Sequence, residues 1–174
     1  MPDSSRKPNG HPSPSESRFP NPLAYWRTLQ SRRFERCRED LYLYLEAAIP
    51  IALMAERLYE GWRQNTSEPI QDGQKAANQS AIYWWQIAEG LRKFDSIAPP
   101  APASRYHKLF SDALRNAMEG TGIAKNGFRS NKFSEISKGL GFLDRYVELM
   151  SEAERELGRL LRKYRLGEKE GTEA

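Results

Sequence analysis

The 174-residue chain holds one cysteine and two histidines, and it has no apolar run long enough to cross a bilayer. A lone cysteine, Cys37, excludes an internal disulfide and fits a reducing compartment. Metal sites in helical bundles draw on Glu-x-x-His pairs. Neither His11 nor His107 has a glutamate three residues before it, so no metal site and no other cofactor is expected. Glu56 and Glu60, spaced i, i+4, read as surface charges. The most apolar stretch is LYLYLEAAIPIALMA, Leu41 to Ala55, interrupted by Glu46 and Pro50. It is shorter than the roughly 20 residues of a membrane helix. Residues 1–22 offer no signal-peptide core either. A soluble, cytoplasmic protein without a membrane span is the expectation.

Catalytic signatures are equally scarce. The glycines of EGTGIAKNG, residues 119–127, lack the GxxxxGK[ST] order, and no strand precedes them. They read as close-packing positions and a helix end. Cys37 falls on an apolar stripe, where a cysteine is an inert small hydrophobe. His107 lies at the edge of another stripe with no nucleophile and orienting group in view. No catalytic residue is expected.

What the chain does carry is helical periodicity. No segment alternates apolar and polar residues as a half-buried strand would. The fold class expected is all-α, an antiparallel four-helix up-and-down bundle over residues 23–166. A disordered Pro- and Ser-rich arm, residues 1–22, precedes it, and a polar tail, residues 167–174, follows. Helix one is expected from Leu23 to Gln64, with a stripe including Trp26, Phe34, Cys37, Leu41, Tyr44, Ala48, Ala55 and Trp62. That stripe stays in phase through Pro50, so a kink rather than a break is expected there. SEPIQDG then turns the chain. Helix two covers Asp72 to Ile97, with Trp84 central to its stripe.

Helix three starts near Arg105 with Ser104 as N-cap, and KNGFRSN, residues 125–131, forms its last turn. The small residues Ala113, Ala117, Gly120 and Ala124 on its face leave room that the rings of helix two can fill. Helix four covers Lys132 to Leu166, with Leu140, Leu143, Tyr146, Val147 and Leu157 on its stripe. Helices one and four should be the long pair and protrude together.

Tyr83, Trp84 and Trp85 are three consecutive rings. Successive helical residues diverge by about 100°, so one buried stripe cannot take all three. The spacing predicts Trp84 in the core, with Tyr83 and Trp85 on the flanks. Leu41 to Ala55 is apolar nearly all round, which leaves Tyr42, Leu43, Ile49 and Leu53 beside or behind the core face, with Met54 on the far side. Leu114 and Met118 sit similarly off the helix-three stripe. Surplus apolar surface of this kind marks association, and Tyr42, Leu43, Ile49, Leu53, Tyr83 and Trp85 form the expected interaction surface. Glu154 is the one carboxylate on a core arc, where it must reach water or pair with an arginine such as Arg33 or Arg36.

Net charge is +4 and unevenly placed. Residues 1–38 hold eight Lys/Arg against three Asp/Glu, whereas the remainder holds nineteen against twenty. Arg27, Arg32, Arg33, Arg36 and Arg38 are the densest part and a candidate anion-binding strip. The function expected is therefore a non-enzymatic helical protein acting through contacts with itself or another protein. A nucleic-acid-associated protein using those arginines comes second, and small-molecule binding between aromatic-rich helices third.

Overall fold

The computed structural model describes residues 22–67 and 72–166. The expected disordered arm (apart from Pro22), most of the SEPIQDG turn and the polar tail lie outside the described residues, as does the side chain of Trp26. Four helices account for the fold, and no strand is present among the described residues. They are α1 (Pro22–Ser67), α2 (Gly73–Asp95), α3 (Ser104–Ser130) and α4 (Phe133–Tyr164), with a short 3-10 turn at Ala101–Ala103 before α3. The chain falls into two units by its contacts, and the first ends at Glu35, within α1. The packed core belongs to the second.

Local chemistry accounts for the boundaries. Asp72 caps α2 by accepting from the backbone amides of Gln74 and Lys75 at 3.0 and 3.1 Å, which satisfies two of the orphan donors of a helix start. The α2 last turn carries Arg92 and Lys93 beside the negative end of the helix dipole. Asn131 and Arg165 adopt left-handed φ values of 52° and 51°, and the next amides reach back to the carbonyls of Gly127 and Leu161. These are helix-ending motifs that need no glycine when the chain turns at once. α1 continues through Pro50 without interruption. Ser104 is the first residue of α3 rather than its cap, because the 3-10 turn leads directly into the helix.

KNGFRSN forms the last turn of α3 as its sequence implies: the helix runs to Ser130, Asn131 is its C-cap, and Gly127 and Phe128 are buried. A Cβ at Gly127 would lie 2.7 Å from the backbone nitrogen of Ile136, so the glycine lets α4 pass close by. The same holds two turns earlier. A Cβ at Gly120 would lie 2.8 Å from the carbonyl oxygen of Gly139, and a Cβ at Gly139 would lie 2.7 Å from that of Gly120. The small face of α3 is thus filled by the backbone of α4, not by the rings of α2. Backbone against backbone demands less volume than a ring and leaves no void.

The α2 face is rotated from expectation. Its buried residues include Ser80, Ile87, Gly90, Leu91 and Phe94. Trp84 is not core but 36 % exposed. The centre of the face falls between Tyr83 and Trp84, on the Ser80–Ile87 line, where Ser80 accepts from Trp62 Nε1 at 3.2 Å. A small polar residue that satisfies a buried indole occupies the place that size alone assigns to a tryptophan. Tyr83 therefore turns to α1, where its hydroxyl lies over Gly61 and accepts from Asn65 at 3.2 Å. Trp84 turns to α3, lying over Gly122 with Lys125 Nζ 5.3 Å from its ring centre. Trp85 faces water, 63 % exposed.

Other side chains move with these. Phe34, Leu140 and Val147 are exposed, whereas Leu114 is buried within the fold. Met54 packs over Gly90 of α2 instead of facing away. The α4 face runs through Leu143, Tyr146, Leu149, Ala153, Glu156 and Leu160, a three-four alternation shifted from the leucine-rich line. Glu154 is exposed, and the buried carboxylate is Glu156, held by both Nε and Nη2 of Arg159.

The α3–α4 contact makes a paired prediction. Gly139→Ala places a methyl against backbone and should cost about 2–3 kcal/mol, as overpacking does. Gly141→Ala, with nothing within 4 Å of the added carbon, should stabilise by about 0.5–1 kcal/mol, because alanine loses less entropy in a helix. Urea midpoints at constant slope measure both.

Candidate functional site

The outer side of α1 and α2 holds an open groove with exposed apolar side chains along it. The two helices approach closely where Met54 and Ile51 meet Gly90, and they are joined further along by Trp62–Ser80 and Asn65–Tyr83. Between these points lies an open groove of about 640 Å³, walled by Pro50, Leu53, Met54 and Leu58 of α1 and by Ile82 and Tyr83 of α2. Asn65, Gln79, Gln86 and Arg57 supply its polar groups, so a single charge lines it. Leu53 is 48 % exposed and Ile82 58 %. Trp85 follows Ile82 by three residues on the solvent side. Leu43, 64 % exposed, lies ten residues before Leu53, about 15 Å along the helix, and Tyr42 is exposed beside it. A cluster of this size on a chain of this length is the usual mark of a contact surface.

Of the residues expected on an interaction surface, the structure presents Tyr42, Leu43, Leu53 and Trp85 to solvent. Ile49 and Tyr83 are half-buried and pack against the core. Ile82, Pro50 and Leu58 were not anticipated. Periodicity treats Pro50 only as a backbone feature, and a lone isoleucine on the polar side of α2 carries no sign of the groove that α1 and α2 form together.

Among the arginines, Arg27, Arg32, Arg33 and Arg36 are exposed and Arg38 is half-buried. None of the first three belongs to the unit that contains the groove.

His107 has a structural environment. Its Nδ1 lies 3.1 Å from the Tyr44 hydroxyl, and its ring stacks on Phe94 with centroids 4.5 Å apart. Tyr106 and Phe110 complete this aromatic cluster where α1, α2 and α3 meet. A neutral imidazole with Nδ1 as acceptor suits that arrangement. Burial pushes the His107 pKa below its ordinary value, and Arg115 adds to the fall against the opposing pull of Asp95. Asp95 is in turn held by Ser111 at 2.7 Å and by Arg115 at 3.0 Å. No group of three or more His, Cys, Asp or Glu side chains converges among the described residues, and none of the described helices is long and apolar enough to cross a membrane.

Comparison with known proteins adds no relative: no family model matches this chain, and no curated protein sequence or solved structure is similar to it.

The His107 environment fixes a pH response. The unfolded histidine titrates near 6.5 and the folded one below that. The unfolded state therefore binds the proton first, so stability is fully present above about pH 7 and declines as pH falls through 6.5. His107→Gln removes that part of the decline. Denaturant midpoints compared at pH 7.5 and 5.5 should show a smaller loss in the variant than in the parent chain.

Proposed function

We propose that the four helices form an antiparallel up-and-down bundle that works by self-association through the outer face of α1 and α2, without catalysing a reaction. The end-to-start meetings of neighbouring helices support the bundle arrangement: Phe94 of α2 stacks on His107 near the start of α3, and Gly127 near the end of α3 lies against Ile136 near the start of α4. The observation that carries the contact reading is the groove with Leu53 and Ile82 exposed at its edge beside Trp85. Burying leucine, isoleucine and tryptophan side chains contributes about 1.5–3 kcal/mol each, and exposed rings are over-represented where partners dock. The exposed Leu53 and Ile82 border the groove, and Arg57, the one charge that lines it, is exposed and can keep its guanidinium in water while a second copy covers the apolar rim about a two-fold axis.

Leu53→Glu and Ile82→Glu each bring a charge to that face. Both positions are substantially exposed, so helicity should be unchanged. Solution mass should fall from that of an oligomer to that of the 20.0 kDa chain. A parent protein that is monomeric at all concentrations, or variants that associate as the parent does, would refute this function.

A second reading has its own support in the exposed Arg27, Arg32, Arg33 and Arg36. There the start of α1 meets the phosphates of a nucleic acid, and binding weakens steeply with salt. An apolar contact does not weaken in this way, so a salt titration separates the two.

A further inference from the structure

A second cavity lies where α1 meets α3 and α4. It encloses about 150 Å³, with Ala52, Leu53, Tyr106, Phe110 and Met150 in its wall. A cavity of that size with an apolar wall accommodates a benzene-sized group. Its lining carries two charged side chains, Glu56 of α1 and Glu154 of α4, and both are exposed towards water. Among the described residues neither forms an ion pair. No lysine or arginine lines the cavity.

We propose that this cavity binds a small organic cation, an ammonium group carried on an aryl or short alkyl body. The apolar body enters between α1, α3 and α4, and the ammonium stays at the mouth between Glu56 and Glu154. Each part of the site selects one part of that ligand. The walls favour a hydrophobic body, as in most small-molecule sites. Tyr106 and Phe110 make the wall aromatic, and an aromatic wall is better suited to a cation than to an anion. The two carboxylates give a net negative mouth with no internal cation to neutralise it. Their field is felt locally: the Tyr106 hydroxyl is pushed up to about 12, by burial first and then by Glu154, and the Tyr146 hydroxyl is raised by burial with contributions from Tyr59, Glu56 and Glu154. Leu53 borders both this cavity and the α1–α2 groove, but Glu56, Glu154, Tyr106 and Met150 line the cavity and not the groove, so the test reads residues that the groove does not use.

The probes are 2-phenylethylammonium, the neutral 2-phenylethanol and the anionic 3-phenylpropionate, titrated into the full chain with its methionine methyl groups labelled for NMR. The ammonium should bind saturably with a dissociation constant of about 1 mM or tighter, the order available to a ligand of this size. It should shift the Met150 methyl and leave that of Met54, which packs against α2, in place. The alcohol should bind several-fold more weakly, and the carboxylate should not bind. Glu56→Gln and Glu154→Gln should each weaken ammonium binding about threefold, as partly hydrated charges do, and the double variant should bind ammonium and alcohol alike. Both glutamates are exposed, so these variants keep the fold. Equal binding of the three probes, an ammonium preference that survives in the double variant, shifts at Met54 instead of Met150, or no saturable binding up to about 10 mM would each overturn the proposal.

Discussion

The closest constraint in this protein is the meeting of two backbones. Gly120 of α3 and Gly139 of α4 face each other so tightly that a Cβ on either would strike the other's carbonyl oxygen, and Gly127 admits the chain at Ile136 in the same way. Three glycines in helix interiors cost roughly 0.5–1 kcal/mol each in entropy. They persist because they set how near α4 can lie to α3, and the rest of the packing follows from that distance.

Where α4 lies against Gly120, Ala124 and Gly127, α3 has no room for the rings of α2. Those rings are distributed instead. Tyr83 closes the seam to α1, Trp84 closes the seam to α3 over Gly122, and Trp85 is left in water. The core position between the first two goes to Ser80, whose hydroxyl satisfies the indole of the buried Trp62. Ile82 lies about 150° from that centre, so it stays on the outside of α2 and borders the groove together with Leu53.

Much of this was legible in the sequence where a pattern is long and unambiguous. The α1 stripe through Leu41, Tyr44, Leu45, Ala48, Ala55 and Trp62 is buried as its spacing implies, and Asp72 marks the start of α2. Legibility failed where apolar residues occupy two adjacent lines of one helix. On α4, Leu140 and Val147 compete with Leu143 and Leu149, and single-helix periodicity cannot choose between lines about 50° apart. On α2 the largest ring was taken as the centre, whereas a serine and a glycine hold the contacts there. The end of α3 is legible in KNGFRSN, whereas the close approach of α4 to Gly127 there is not, because it depends on a neighbouring helix. The groove and the second cavity depend on spacing between helices, which no single stretch of sequence encodes. Glu56 and Glu154 could be named beforehand only as charges, not as neighbours of one cavity.

The central claim is that the apolar outer α1–α2 face is covered by a second copy of the chain. Hydroxyl-radical footprinting of the full chain at dilute and at concentrated protein tests it most directly, because it reads the side chains themselves. The account predicts that Trp85, Leu53 and Ile82 lose reactivity as concentration rises, while Trp84, in the seam to α3, keeps its reactivity. Reactivity at Trp85, Leu53 and Ile82 that stays constant across that range, or protection that appears on α4 instead, would contradict it.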